Sequence, residues 1–130
     1  MSNSLSSFPK AKFLGPGKGG TSHHIHQRVT AIFMVPLLMW FVATIILFLQ
    51  KPPSEIPWFL TSPVTIIGSV LFILNAFYHA SLGLKIVIGD YVHSHYLKVV
   101  MILLMYATII VTVVAGLIAI FTIYILLRIN

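Results

Sequence analysis

Three long apolar segments, at residues 29–49, 63–88 and 99–127, dominate this sequence of 130 residues. Each is long enough to form a helix that crosses the hydrocarbon of a bilayer, which takes about 20 apolar residues. Only 8% of the residues are charged, whereas soluble domains carry about 25%, so the chain cannot cover a water-facing surface. We therefore predict an all-α integral membrane protein with three transmembrane helices.

The polar segment before the first span, residues 1–27, is predicted to be a separate arm. Its run at residues 14–20, Leu-Gly-Pro-Gly-Lys-Gly-Gly, disfavours a regular helix, since glycine is flexible and proline removes a backbone donor. The arm is thus expected to be flexible or to lie at the membrane interface. Residues 28–130 then form the transmembrane domain, which leaves no room for a soluble catalytic domain.

The basic residues indicate how the chain is oriented. There are 8 Lys and Arg against 2 acidic residues, spread thinly along an apolar chain, which favours membrane orientation and excludes nucleic acid as the expected partner. The positive-inside rule places the N-terminus and the connection at residues 89–98 on the cytoplasmic or matrix side. The basic residues on that side are Lys10, Lys12, Lys18, Arg28, Lys85 and Lys98. Lys51 and Arg128 lie on the opposite side of the membrane. We therefore predict that the N-terminus is on the cytoplasmic or matrix side and the C-terminus on the other side (N-in, C-out).

Because the chain has no cysteine, any cofactor is expected to be held by histidine or by packing. His79 lies near the middle of the second span, and Gly83 follows one turn later on the same face. A neutral imidazole can bind haem iron inside hydrocarbon, although it can equally hydrogen-bond to a neighbouring helix, with Asn75 one turn away. One histidine supplies one axial ligand, so a second ligand would come from another subunit.

Asp90 and Tyr91 follow His79 by 11 and 12 residues, which places them roughly 16–18 Å further along a helix, at the membrane edge. A tyrosine hydroxyl there can donate a hydrogen bond to a quinone carbonyl, and a carboxylate can pass protons. The alternative is structural: Asp90 ends a helix and Tyr91 belongs to the aromatic belt of the interface.

The histidines before the first span are the remaining cluster with possible chemistry. His24 and His26 lack the i, i+4 spacing of a helical zinc site, and no carboxylate accompanies them, so zinc is not predicted. Arg28 can extend to the lipid headgroups, or it can pair with a carboxylate such as a haem propionate.

Two segments of the chain resemble a known family. Residues 78–91 read Tyr-His-Ala-Ser-Leu-Gly-Leu-Lys-Ile-Val-Ile-Gly-Asp-Tyr and resemble the signature of the small hydrophobic membrane anchors of succinate dehydrogenase (complex II). In that signature a haem-ligating His and a Gly precede Asp-Tyr at this spacing. Residues 27–32, Gln-Arg-Val-Thr-Ala-Ile, resemble that family's entry into its first helix. The companion anchor of such complexes, the cytochrome b subunit, typically carries an Arg-His pair in its second helix, which residues 85–87 lack.

The resemblance implies a haem site shared between two anchor subunits. His79 would be one axial ligand of haem b, and the partner anchor, the cytochrome b subunit, would supply the other. Arg28 would lie near the haem propionates and the quinone pocket. His24 would join the propionate contact, with His23 and His26 as open alternatives.

The resemblance also implies a quinone site and the remaining partners. Tyr91 would hydrogen-bond to ubiquinone, with Asp90 beside it and Arg28 nearby. The complex would contain the cytochrome b subunit, an iron–sulfur subunit and a flavoprotein subunit that oxidises succinate. The anchor would complete a helical bundle with the cytochrome b subunit in the inner membrane of a bacterium or mitochondrion.

Two other functions are compatible with the residues alone. Within the same class, the chain could be the anchor of a fumarate reductase or a protein like the companion cytochrome b anchor. In another class, a small three-span transporter could use His79 and Asp90 as a proton relay.

Overall fold

The structure is a computed structural model that describes residues 18–129, with side chains from residue 24 onward. The helices are α1 (Lys18–Gln50), α2 (Ile56–Leu60), α3 (Pro63–Tyr91) and α4 (His95–Ile129), with a 3-10 turn at Pro53–Glu55. No strand occurs in this part of the chain. α1, α3 and α4 are long and apolar enough to cross a membrane, which confirms the predicted all-α class and the three helices.

The helices extend beyond the predicted spans. α1 begins at Lys18, so residues 18–27 of the predicted arm are helical, while residues 1–17 lie outside the described part. The predicted connection at residues 89–98 shortens to residues 92–94, because α3 continues to Tyr91 and α4 begins at His95. A helix pairs the backbone N–H and C=O groups of its interior, so continuing the helix moves the unpaired terminal groups out of the low-polarity edge of the bilayer.

Local contacts explain where α3 begins and ends. The Ser62 hydroxyl accepts a hydrogen bond from the backbone N–H of Thr65 at 3.2 Å, and Pro63 occupies the first turn, where no N–H is needed. At the other end, Lys98 Nζ donates to the backbone carbonyl of Gly89 at 2.9 Å. A lysine ammonium at this position satisfies a carbonyl left open by the helix end.

α3 is the central helix and packs against α1 on one side and α4 on the other. On the α1 side, the rings of Phe41 and Phe72 stack with their centres 4.3 Å apart. On the α4 side, the Lys85 ammonium lies 5.8 Å from the centre of the Tyr106 ring, a cation–π contact for the one lysine in the second predicted span. Most apolar side chains of all three helices remain exposed on the isolated chain. Such a surface requires lipid or partner helices.

Gly68 allows the closest approach of α1 to α3. A Cβ placed on Gly68 would overlap the indole ring of Trp40, which is not the far end of a flexible chain. By contrast, a Cβ on Gly89 would meet nothing within 4 Å. Gly68 is therefore required by packing, and Gly89 is not.

Replacing Gly68 with alanine is expected to destabilise the α1–α3 pair. The added methyl group forces Trp40 aside, and overpacking of this kind costs about 1–3 kcal/mol. The measurement is the thermal unfolding midpoint of the purified complex, which should fall. Gly89→Ala is the matched control and should leave the midpoint unchanged or raise it. Equal midpoints for the two variants would contradict the packing role of Gly68.

Candidate functional site

His79 lies at the interface between α3 and α1. Its Nδ1 is 2.9 Å from the hydroxyl oxygen of Thr30, a side chain that is only 7% exposed. The same hydroxyl donates to the backbone carbonyls of His26, at 2.9 Å, and Gln27, at 3.0 Å. Because a hydroxyl has one proton and the helix carbonyls take it, the Thr30 oxygen is left to accept from His79. From this hydrogen-bond pattern we assign an imidazole proton to Nδ1.

This arrangement leaves the second ring nitrogen of His79 with its lone pair. Nε2 has no hydrogen-bond partner among the side chains and backbone that the structure describes. The same part of the chain contains no enclosed side-chain nitrogen or oxygen lacking a partner, so Nε2 reaches the surface of the chain. A fixed Nδ1–H tautomer with an accessible Nε2 is the form in which histidine binds metal ions.

Two further side chains of α3 reach the same turns of α1. Asn75 Nδ2 donates to the backbone carbonyl of Thr30 at 3.1 Å, and the Tyr78 hydroxyl lies 3.0 Å from His26 Nδ1. His79 does hydrogen-bond to a neighbouring helix, as the structural alternative proposed, but its partner is Thr30 and not Asn75. Asn75 instead holds the backbone that carries Thr30.

Sequence reasoning missed the contributions of Thr30 and Tyr78. In the sequence, Thr30 stands out only as part of the segment 27–32, since a threonine near a helix start is ordinary. The available signal was that Thr30 is a polar residue on the first span, four residues after His26. Which face of α1 turns toward α3 cannot be read from a segment that is apolar on every side.

Gly83 and Gln27 extend the α1–α3 contact toward the N-terminal end of α1 and the C-terminal end of α3. A Cβ on Gly83 would lie 4.0 Å from Gln27 Nε2, an ordinary contact distance, so the glycine leaves free space and is not forced by a close approach. Near the same cluster, an apolar groove with a volume of about 710 Å³ is bordered by Pro36, Asn75 and Tyr78. This groove borders the residues next to His79 and not the His79 ring itself.

Along α1, Arg28 lies about 3 Å and His24 about 9 Å before Thr30, the residue that meets His79. Thr30 meets His79 and Gln27 faces Gly83, so this part of α1 runs beside the turn that follows His79. Both side chains are exposed, and neither forms a hydrogen bond or ion pair within the described residues. The His23 side chain lies outside the described part, and His26 is already paired with Tyr78.

Asp90 and Tyr91 occupy the last turn of α3, seven and eight residues beyond Gly83, or roughly 10–12 Å further along the axis. The structure places them at the same end of the bundle as Arg28 but not in contact with it. Tyr91 is 80% exposed. Its hydroxyl makes no hydrogen bond to the described residues and is open to an external acceptor.

Asp90 gains no visible stabilisation from the described part of the chain. A carboxylate in the last turn of a helix is repelled by the helix dipole, and the residue that ends α3 is Val92, not Asp90. Lys98 is close by but binds the Gly89 carbonyl, and Asp90 forms no ion pair with any described residue. The alternative that Asp90 serves as the helix cap therefore has no contact to support it.

The fold and the site define a class of protein: a multi-pass membrane protein with an accessible histidine at a helix interface and, at one end, polar groups that have no partner among the described residues. Comparison with known proteins narrows this class. The pattern of the succinate dehydrogenase/fumarate reductase transmembrane subunit family matches residues 9–117. The chain belongs to this family.

Relatives from three bacteria carry the same name, succinate dehydrogenase hydrophobic membrane anchor subunit. The relative from Rickettsia bellii (strain RML369-C) is 32% identical over 86% of this chain and 90% of its own length. Those from Rickettsia conorii (strain ATCC VR-613 / Malish 7) and Rickettsia felis (strain ATCC VR-1525 / URRWXCal2) are 32% and 30% identical over 86% of this chain and 90% and 93% of their own lengths. The predicted resemblance is confirmed, and the chain acts as a membrane-anchor subunit of succinate dehydrogenase.

Proposed function

We propose that this anchor contributes residues to a haem b site and to a ubiquinone site in a complex that transfers electrons from succinate to ubiquinone. The partners are the cytochrome b subunit, the iron–sulfur subunit and the flavoprotein subunit, in a bacterial or mitochondrial inner membrane. The observation that carries the proposal is the geometry of His79, whose Nδ1–H is held by Thr30 while Nε2 is accessible.

The residues near His79 fit a haem. Its Nε2 would hold the haem iron from this chain, and a second ligand would come from the cytochrome b subunit, since no other histidine of this chain lies deep in a span. Arg28 pairs with the propionates, because it lies at this depth with no acidic partner in the described residues. His24, one turn before Arg28, is the second propionate contact. Haem b, when bound, supplies a one-electron redox centre between the two anchors.

The end of α3 forms this chain's part of the quinone site. Tyr91 donates its hydroxyl proton in a hydrogen bond to one quinone carbonyl, which holds the ring against the membrane edge. Asp90 accepts a proton from the aqueous side and passes it toward the reduced quinone. Two electrons from the iron–sulfur subunit and two protons convert ubiquinone to ubiquinol. Arg28 lies at the same end of the bundle and favours the negative charge that develops there.

The chain is oriented with its N-terminus on the cytoplasmic or matrix side. The basic residues at that end support this orientation. At the other end, the Lys51 ammonium is 2.7 Å from the Glu55 carboxylate, which neutralises one of the two cations there. Succinate oxidation and proton uptake then occur on the same side of the membrane as Asp90 and Tyr91.

Replacing Thr30 with valine tests the observation that carries the proposal. Valine keeps the shape but cannot accept from His79 Nδ1–H, and loss of such a supporting contact typically weakens metal binding by about 10- to 100-fold. We expect less haem b per purified complex and a raised midpoint potential for what remains, because the ligand becomes less basic. Thr30→Ser, which keeps the hydroxyl, should retain haem content and potential. Loss of haem from both variants alike would point to packing and contradict the hydrogen-bond role.

A further inference from the structure

A second polar site lies at the end of the bundle opposite Asp90 and Tyr91. A cavity of about 810 Å³ opens between α2, the start of α3 and the end of α4. Its long part is apolar and includes Ile66, Val70, Leu117 and Phe121. Its short end carries Arg128, which also borders an adjoining cavity of about 650 Å³. A hydrocarbon groove with one cation at its end suits an amphiphile whose polar group is negatively charged.

Arg128 is held in place but keeps most of its donors free. Its NH1 donates to the Tyr124 hydroxyl at 2.8 Å, and its guanidinium carbon lies 5.6 Å from the centre of the Tyr124 ring. It forms no ion pair with any described residue. A guanidinium has five N–H donors in a planar fork that matches phosphate oxygens. One contact to Tyr124 fixes the group and leaves the other donors for a ligand.

Among the described residues, the acidic group near this end is already paired and does not compete for Arg128. The carboxylate of Glu55, just before α2, lies 2.7 Å from the Lys51 ammonium and forms an ion pair with it. Trp58 and Thr61 border both cavities. Tryptophan is typical of the headgroup level of a membrane, which places Arg128 where a lipid phosphate lies.

We propose that this groove binds one anionic phospholipid, with the phosphate on Arg128 and an acyl chain along Ile66, Val70 and Phe121. Charge decides the occupant. A quinone head is neutral and would leave the guanidinium unpaired, and an apolar partner helix would do the same. A phospholipid satisfies both the cation and the apolar groove, and one with net negative charge does so without a headgroup ammonium of its own that would repel Arg128. The proposal requires only that the chain spans a membrane and does not depend on the haem or quinone assignments.

The test uses the complete complex, reconstituted in phosphatidylcholine bilayers that contain a trace of photoactivatable phosphatidylglycerol. After illumination, labelled peptides are mapped by mass spectrometry. We expect labelling within residues 66–70 and 117–121, and we expect Arg128→Gln to reduce it about fivefold or more. Arg128→Lys keeps the charge and should retain most of the label. That result would show that changing this residue does not by itself disrupt the end of α4. The matched control is the double variant Lys51→Gln with Glu55→Gln, which removes the neighbouring ion pair as a whole. It takes away a cation at the same end without releasing a carboxylate and should leave labelling unchanged.

Three results would overturn the proposal. Equal labelling of the wild type and Arg128→Gln would show that the cation does not bind the lipid. Equal labelling by a phosphatidylcholine probe that carries the same photoactivatable group would show that charge does not select it. Absence of label from the groove would show that a quinone or a partner helix covers it.

Discussion

Replacing His79 with alanine is expected to remove the haem b band from the reduced-minus-oxidised spectrum of the purified complex. The imidazole is the proposed axial ligand from this chain, and alanine offers no donor in its place. The spectrum should be measured with the iron–sulfur and flavoprotein subunits bound, and succinate oxidation by an artificial acceptor should persist, because that chemistry lies in another subunit. An unchanged band in His79→Ala would exclude this residue as the ligand.

Two further variants keep the His79 experiment interpretable. His93→Ala removes an exposed histidine from the connection between α3 and α4 and should leave the band unchanged. Loss of a cofactor can itself prevent assembly of a membrane complex, so His79→Met provides a variant with a different ligand. A thioether donor should return a haem band with a shifted position and a raised potential. A shifted band in that variant links the spectrum to the atom at this position.

The three spans could be predicted from the sequence because the bilayer imposes a length and a polarity that few other segments satisfy. The residues at which the helices begin and end could not be predicted in this way. Residues 18–27 and 95–98 are polar or glycine-containing, and a soluble protein would often place a loop there. At a membrane edge, the cost of an unsatisfied backbone group outweighs the weak helix preference of these residues, so α1 and α4 extend through them.

The candidate site was predicted residue by residue, but its connections were not. His79 was identified because a histidine in the middle of a span needs a reason. Its partner Thr30 depends on how α1 and α3 rotate against each other, and Trp40 fixes that rotation by lying over Gly68. Neither span has a single apolar face, so the sequence alone does not show which side of α1 meets α3.

The structure separates the two proposed sites along α3. The His79 side chain is hydrogen-bonded to α1, whereas the side chains of Asp90 and Tyr91, in the last turn, form no hydrogen bond or ion pair with the described residues. A proton relay from His79 to Asp90 would have to cross 11 residues, or roughly 16 Å, of largely apolar helix surface. This distance argues against the transporter alternative, as membership of the family already does. It also means that variants at the two sites should have separable effects.

Replacing Tyr91 with phenylalanine is expected to impair ubiquinone reduction while leaving haem b and succinate oxidation intact. The change removes one hydroxyl from an exposed ring, so the fold should be unaffected. A hydrogen bond to a reacting carbonyl contributes about 1.5 kcal/mol, so kcat/KM for ubiquinone should fall roughly tenfold. The measurement compares succinate:ubiquinone activity with succinate oxidation by an artificial acceptor in one preparation. Equal loss of both activities would indicate damaged assembly and not a missing quinone contact.

Tyr96→Phe is the matched control for the tyrosine experiment. Tyr96 lies in the first turn of α4, is 85% exposed and makes no hydrogen bond to the described residues. It therefore resembles Tyr91 in chemistry and accessibility and differs mainly in its helix. Full ubiquinone activity in Tyr96→Phe together with reduced activity in Tyr91→Phe would assign the quinone contact to α3. If both variants kept full activity, neither hydroxyl would bind the quinone, and Asp90 would lose its proposed neighbour.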